Sequence, residues 1–211
     1  NGGSWFVLGS QNGFSAAQFG IATDKIAPAD FDGDGKTDYA VFRPNGGNWF
    51  ILRSSDNTFY GVQFGANGDI PAAGDYDGDA KADPTVFRPN GGNWFILNST
   101  TGNFTGAQFG ANGDTPAPGD YDGDGRYDLA VYRPSAGAWF ISNSSNGSFV
   151  SAQFGLNADI PAPGDFDGDG KADPAVFRPS TGTWYISRSS GGTTIQNFGV
   201  STDKPVAADY D

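Results

Sequence analysis

The stretch Asp75-Tyr76-Asp77-Gly78-Asp79-Ala80-Lys81-Ala82-Asp83 places four carboxylates in nine positions, and the chain repeats it. The same pattern runs through Asp30, Asp32, Asp34 and Asp38, through Asp120, Asp122, Asp124 and Asp128, and through Asp165, Asp167, Asp169 and Asp173. A fifth copy is cut short at Asp209 and Asp211. Carboxylates this close repel one another unless a cation offsets their charge. Oxygen donors alone, on a loop turned by glycine, suit a hard ion, and Ca²⁺ before others.

The leading aspartates of the four complete loops stand 45 residues apart, and other residues keep step at 44 or 45. Trp5, Trp49, Trp94, Trp139 and Trp184 do so, as do the pairs Phe19-Gly20, Phe64-Gly65, Phe109-Gly110, Phe154-Gly155 and Phe198-Gly199. Such a period marks an array of similar units. Within one unit the pattern predicts four short strands: Asp69 to Asp75, Pro84 to Arg88, Asn93 to Leu97 and Phe104 to Phe109. The acidic loop joins the first strand to the second. Asn90-Gly91-Gly92 makes a hairpin turn, because Asn and Gly tolerate positive φ. No segment has helical periodicity, and the glycines and prolines fall mostly at turns. Runs such as Trp94-Phe95-Ile96-Leu97 are apolar on both faces, so each small sheet is expected to be covered on both sides. The expected fold class is all-β, a β-propeller of four-stranded blades of about 45 residues. A parallel β-helix competes less well, since its coils are shorter and the hairpins imply antiparallel pairing.

Residues 1–211 read as a single propeller domain with repeats starting near Asp24, Asp69, Asp114, Asp159 and Asp203. Asn1-Gly2-Gly3-Ser4-Trp5 aligns inside the turn before a third strand, and the last copy breaks off inside an acidic loop. The pieces sum to four complete blades plus a partial fifth. A five-bladed ring is expected, with a segment of a seven-bladed propeller as the alternative. Either way the chain reads as part of a longer polypeptide or assembly.

Composition narrows the function classes. A formal charge of −12 argues against nucleic acid or an anionic membrane as partner. There is no apolar run long enough to insert in a membrane and no cysteine for a disulfide framework. All 24 acidic residues are Asp; only Asp56 lies outside the loops and the repeated upstream position of Asp24, Asp69, Asp114, Asp159 and Asp203. With no His, Cys or Glu, acid–base chemistry would fall to aspartates already committed to a repeat, so no catalytic residue is assigned and the chain reads as a non-enzyme.

In each loop positions 1, 3, 5 and 9 offer carboxylates, and position 7 offers the backbone carbonyl of Lys36, Lys81, Arg126 or Lys171. One Ca²⁺ per complete loop gives four, with a partial site at Asp209 and Asp211. An EF-hand would carry Glu at position 12, where Val41, Val86, Val131 and Val176 stand instead. Ala80 replaces the position-6 glycine of the second loop, which requires strain or a changed turn, and that site is expected to be the weakest. The metal is expected to be structural, clamping a turn that repulsion would open. The repeated Trp reads as core filler in preference to a sugar-stacking platform. Arg43, Arg88, Arg133 and Arg178 fit two readings: pairing with repeated aspartates such as Asp69, or lining a groove. Asn-x-Ser/Thr at Asn98, Asn103, Asn143 and Asn146 clusters at turns after third strands.

Phe-Gly, a strand, the Asp-x-Asp-x-Asp-Gly-x-x-Asp loop and a second strand together resemble the FG-GAP repeat of integrin α-subunit propellers. They are still more similar to bacterial FG-GAP-like or VCBS repeats, over essentially the whole chain. Where that family has Gly-Ala-Pro, this chain has Phe-Arg-Pro at Phe42-Arg43-Pro44 and its copies, with Tyr132 once. The resemblance implies a calcium-stabilised, secreted or cell-surface, non-catalytic recognition or adhesion module for glycan or extracellular protein. The alternative is a structural or spacer propeller of a larger secreted enzyme or surface assembly. The Phe-Arg-Pro departure weakens any transfer of integrin-type partners.

Overall fold

The structure, a computed structural model, describes residues 2–9 and 13–208. The hairpin β1 (Gly2–Gly9) and β2 (Gly13–Ile21) forms a two-stranded antiparallel sheet. Four antiparallel sheets of four strands follow. Blade 1 is β3 (Lys25–Ile26), β4 (Tyr39–Arg43), β5 (Asn48–Leu52) and β6 (Phe59–Gln63). Blade 2 is β7 (Ile70–Pro71), β8 (Thr85–Arg88), β9 (Asn93–Leu97) and β10 (Phe104–Gln108). Blade 3 comprises β11 (Thr115–Pro116), β12 (Leu129–Arg133), β13 (Ala138–Ser142) and β14 (Phe149–Gln153). Blade 4 comprises β15 (Ile160–Pro161), β16 (Ala175–Arg178), β17 (Thr183–Ser187) and β18 (Thr193–Asn197). Each blade pairs its strands in chain order, so the fold class is all-β, of β-propeller type. Among the described residues no helix is long and apolar enough to cross a membrane.

Contacts divide the chain into two compact units. One holds the residues up to Arg88 with Trp94–Gly106, and the other Pro89–Asn93 with Ala107–Ala207. The truncated copy at Asp209 and Asp211 lies outside the described residues.

The first strand is shorter than the Asp69 to Asp75 span expected from sequence. In blade 2 only Ile70 and Pro71 pair, with Phe87 and Val86. Proline has no N–H to give the ladder, and past it the chain keeps two points of contact. Ala72 N–H donates to the Thr85 carbonyl at 2.8 Å, and Gly74 bridges Asp83. The second strand is covered on both faces, with Ala40, Val41 and Phe42 buried in succession. The third alternates, burying Trp49 and Ile51. The fourth corrects the expectation of two-sided cover: every residue of β10 and β14 is exposed, Phe104 and Phe149 included. An outermost strand has a neighbour along one edge only, so its side chains gain little cover from the sheet.

The tryptophans of the first three blades belong to the core. Trp49, Trp94 and Trp139 are fully buried, which rules out sugar stacking on them. Trp49 packs against Phe42 at 5.5 Å and against Phe31 of the acidic loop at 6.2 Å. Its indole N–H donates to the Phe64 carbonyl at 2.9 Å, as Trp139 does to Phe154. Gly65 must then turn the chain at φ 125, and a Cβ there would stand 3.0 Å from the Phe42 ring. Phe-Gly therefore combines an acceptor for Trp with a residue that needs no side-chain space.

The repeated arginines take the first of their two readings. Arg88 grips Asp69 with Nε at 2.8 Å and Nη2 at 2.9 Å, and the same fork joins Arg43 to Asp24, Arg133 to Asp114 and Arg178 to Asp159. The carboxylates are buried, and Asp69 also accepts from Ala66 N–H at 2.8 Å. Each guanidinium lies over a third-strand ring, that of Arg88 4.5 Å from Phe95. Lysine can supply the charge but neither the planar fork nor the stack. Arg88→Lys is therefore expected to cost about 1–2 kcal/mol, read as a lower urea midpoint. An unchanged midpoint would show that charge alone holds Asp69.

Candidate metal centre

Each acidic loop is closed at its neck by one bridge: Ala29 to Asp38, Gly74 to Asp83, Gly119 to Asp128 and Gly164 to Asp173. Inside loop 1 the position-1 carboxylate folds the turn, with Asp30 Oδ1 accepting from Gly33 N–H at 2.7 Å and Oδ2 from Gly35 N–H at 2.8 Å. Asp75, Asp120 and Asp165 take the equivalent donors. Position 2 anchors the loop to the core. Phe31 and Phe166 lie edge-on to Trp49 and Trp184, and the Tyr121 hydroxyl also donates to the Ala117 carbonyl at 2.7 Å.

Position 9 is fully buried in all four loops. Asp38 Oδ2 accepts from Phe31 N–H at 2.8 Å and Oδ1 from Ser54 N–H at 2.7 Å, so one carboxylate ties its own loop to the turn after the third strand. Asp83, Asp128 and Asp173 make the same two bonds. Burial pushes the carboxyls of Asp38, Asp83 and Asp128 above the usual range, with a further push from the position-3 aspartate, against the pull of those N–H donors.

The structure brings positions 1, 3 and 9 together. In Asp30/Asp32/Asp38, Asp75/Asp77/Asp83, Asp120/Asp122/Asp128 and Asp165/Asp167/Asp173, one oxygen from each carboxylate lies within 4.8 Å of the others. These four clusters, one per blade, could hold a metal ion. Asp122 Oδ1 and Asp167 Oδ1 are buried and have no hydrogen-bond partner, the condition a cation would relieve. The donor set, carboxylate oxygen alone, fits a hard cation.

Position 5 stands outside these triads. Asp34 accepts from Ser54 Oγ at 3.0 and 3.1 Å, and Asp124 from Ser144 Oγ at 3.0 Å. Ser55 Oγ donates to Asp32 at 2.6 Å, Ser145 Oγ to Asp122 at 2.5 Å, and Ser190 Oγ to Asp167. In blade 2 Thr100 Oγ1 turns instead to Asp79, at 2.7 Å. Sequence reasoning missed this hydroxyl pair, although Ser54-Ser55, Ser99-Thr100, Ser144-Ser145 and Ser189-Ser190 recur at the repeat period. The position-7 residues Lys36, Lys81, Arg126 and Lys171 join through their N–H, donating to Asp34, Asp79, Asp124 and Asp169.

Neighbouring loops also touch within each unit. Ala82 N–H donates to the Asp30 carbonyl at 2.6 Å, and Ala172 N–H to the Asp120 carbonyl at 2.6 Å. The Lys81 chain lies over Gly33, where a Cβ would come within 3.2 Å of it.

Loop 2 keeps the turn of the others despite Ala80. Its φ is 66, against 83, 86 and 84 for Gly35, Gly125 and Gly170, and its N–H reaches Asp75 Oδ2 at 2.7 Å. Of the two outcomes open from sequence, strain is the one observed.

Residues 120–176 match a family model described as FG-GAP-like repeat. No curated protein matches it. Among solved structures it is similar to virginiamycin B lyase from Staphylococcus aureus, with 11% identity over 90% of this chain and 61% of that one, at a TM-score of 0.56. A streptogramin B lyase gives 13% identity, 92% and 62% coverage, and a TM-score of 0.56. A functionally unknown protein from Desulfotomaculum acetoxidans gives 14%, 95%, 65% and 0.50. The chain thus spans less than two thirds of the length of these structures, and at such identities the likeness is one of fold.

Two expectations follow. Ala80→Gly should relieve the left-handed strain and raise stability by about 0.5–1 kcal/mol; a lower melting temperature would show that the loop tolerates alanine at no cost. The second concerns pH. A carboxyl whose folded pKa is raised contributes stability below its ordinary pKa and loses it as pH rises through the folded value. Cation-free protein should therefore gain melting temperature as pH falls through the raised values toward the ordinary carboxylate pKa of about 4. A monotonic fall would contradict the raised values of Asp38, Asp83 and Asp128.

Proposed function

We propose that these blades form a calcium-stabilised, non-catalytic recognition or adhesion module of a secreted or cell-surface protein, with glycan or extracellular protein as partner. The calcium reading rests on one observation above the rest: buried carboxylate oxygens of Asp122 and Asp167 that find no donor inside an otherwise saturated loop. Asp, Ser and backbone oxygen are the ligands this ion takes, at six to eight per site. The triad carboxylates of positions 1, 3 and 9 would bind directly, with the position-5 aspartates Asp34, Asp79, Asp124 and Asp169 and the position-7 carbonyls filling out the shell. A bound divalent ion supplies charge neutralisation and a cross-link, and the chain's own residues do the rest. Phe31 and its copies seat the loop on the core, and the position-9 aspartate ties it to the turn after the third strand. Four such ions would offset most of the formal charge of −12. Extracellular calcium is abundant enough to fill sites of modest affinity, which supports the secreted or surface location.

The non-catalytic reading is supported by the absence of His, Cys and Glu from the sequence and by the hydrogen bonds that the loop aspartates share from blade to blade. The lyase activity named for two of the similar structures is a property of those proteins. A structural or spacer role within a larger secreted enzyme or surface assembly is the second reading. It is favoured by the sameness of the four loops, which serve stability equally in every blade.

Melting with saturating Ca²⁺ against melting with chelator tests the metal. Binding at about 100 times Kd at four sites is expected to add several kcal/mol, read as a rise of many degrees. An unchanged melting temperature would sink the calcium reading. Glycan and matrix-protein arrays probed with the calcium-loaded chain test the recognition role, and no binding to either would favour the spacer.

A further inference from the structure

Arg53 departs from the pattern of the other paired arginines. Where blade 1 has Arg53 after its third strand, blades 2 and 3 have Asn98 and Asn143, and blade 4 has Arg188. Tyr60 stands likewise where blades 2 and 3 have Thr105 and Val150. Arg53, Tyr60 and Lys81 line one cavity of about 240 Å³, with Phe31 and Leu97 among its apolar walls. All of these residues belong to the first unit.

The guanidinium in this cavity lies over the Tyr60 ring, 5.8 Å from its centroid, and among the described residues has no charged partner in contact. Arg43, Arg88, Arg133 and Arg178 each hold a buried aspartate, while Arg53 makes no ion pair among the described residues. Its Nε is buried without a hydrogen-bond partner. A buried, charged N–H left unpaired is costly, and pairing with a bound ligand is one way to relieve that cost. Asp56, on the adjoining turn, attracts Arg53 without forming an ion pair: it is exposed, and its Oδ1 is taken by Thr58 N–H at 2.8 Å and Thr58 Oγ1 at 2.6 Å. Ser99, also on the cavity wall, is spent on loop 2, giving its N–H to Asp83 and its hydroxyl to Asp79. Two cations therefore line a space with both polar and apolar walls, the rings of Phe31 and Tyr60 among them, in a chain that is otherwise strongly acidic.

We propose that this cavity binds a single carboxylate carried on a six-membered ring. Arg53 takes the carboxylate through its planar fork and Lys81 adds a second positive charge, while the ring lies against Tyr60 and the apolar wall. A cavity smaller than the roughly 300–1,000 Å³ of drug-sized pockets admits one ring and no long chain. The acids of loop 2 nearby disfavour a doubly charged phosphate and leave a monoanion as the better match. A uronic-acid sugar and a simple ring acid share this chemistry. The inference deepens the recognition reading above by giving its ligand a charge and a size.

Calorimetric titration of the calcium-loaded chain with glucuronate, benzoate, glucose, benzyl alcohol and inorganic phosphate tests it, in a buffer free of carboxylates. One acid is expected to bind one to one, with its uncharged counterpart weaker by roughly tenfold or more. Tighter glucuronate would identify a sugar acid as the source, and tighter benzoate a simple ring acid. Arg53→Asn installs the residue that Asn98 and Asn143 already place at this position, so the fold should accept it, and affinity should fall at least tenfold. Arg188→Asn, at the equivalent position away from the cavity, should change nothing. If Arg53→Asn melts early, Arg53→Lys keeps the charge without the fork and should still lose several-fold. Absence of saturable binding by either acid, equal binding of the neutral counterparts, phosphate binding as tightly, or full affinity in both Arg53 variants would each overturn the proposal. A glycan bound equally by wild type and Arg53→Asn would leave the recognition module standing and remove this site from it.

Discussion

A buried carboxylate at position 9 holds each blade's chemistry in place. Asp38 accepts one N–H from the start of its own loop and one from the turn after the third strand, segments that are separate in sequence. It acts beside other ties: the Phe31 ring lies against Trp49, and the Ser54 and Ser55 hydroxyls reach Asp34 and Asp32. Ionised and buried, that group is also costly, since desolvation raises its pKa. The clusters at positions 1 and 3 are built next to this cost. Core packing, loop closure and cation capacity are therefore one problem solved at a single residue in each repeat.

The aromatic residues supply the other half of the arrangement. The loop's second residue, the second strand's Phe or Tyr and the third strand's Trp meet in one cluster, as Phe31, Phe42 and Trp49 do. The Trp indole then reaches the carbonyl of the Phe-Gly pair. The first loop, polar in six of nine positions, is thus seated by a ring pointing inward. Outside this cluster the arginine forks brace the turn that opens each repeat, and their stacking on Phe50, Phe95, Phe140 and Tyr185 carries order toward the exposed fourth strand.

Most of the fold was legible in sequence because its signals are local and repeat in phase. Strand composition, the Asn-Gly-Gly turn and the acidic spacing each state themselves within ten residues. The carboxylates of positions 1, 3 and 9 were legible for the same reason. What was hidden depends on distance in the chain. Ser54 and Ser55 look like ordinary turn residues until folding sets them over Asp34 and Asp32, some twenty positions away. Arg88 fitted two roles because its choice between Asp69 and a groove is settled only by the path of the intervening loop. The first strand was drawn too long, since small residues and proline mark a crowded segment without saying where the ladder stops. Arg53 departs from Asn98 and Asn143 at its repeat position, but its unpaired N–H is a property of surroundings and has no motif.

The hydrogen bond from Ala82 N–H to the Asp30 carbonyl, with its counterpart from Ala172 to Asp120, has a thermodynamic meaning for the array. The stability of a repeat protein divides into what each repeat contributes alone and what each interface adds. Here an interface term runs through the backbone of a candidate ligand and through the residue preceding another, Asp83 or Asp173. Within each unit, neighbouring loops are therefore linked by a backbone bond that no side-chain substitution removes.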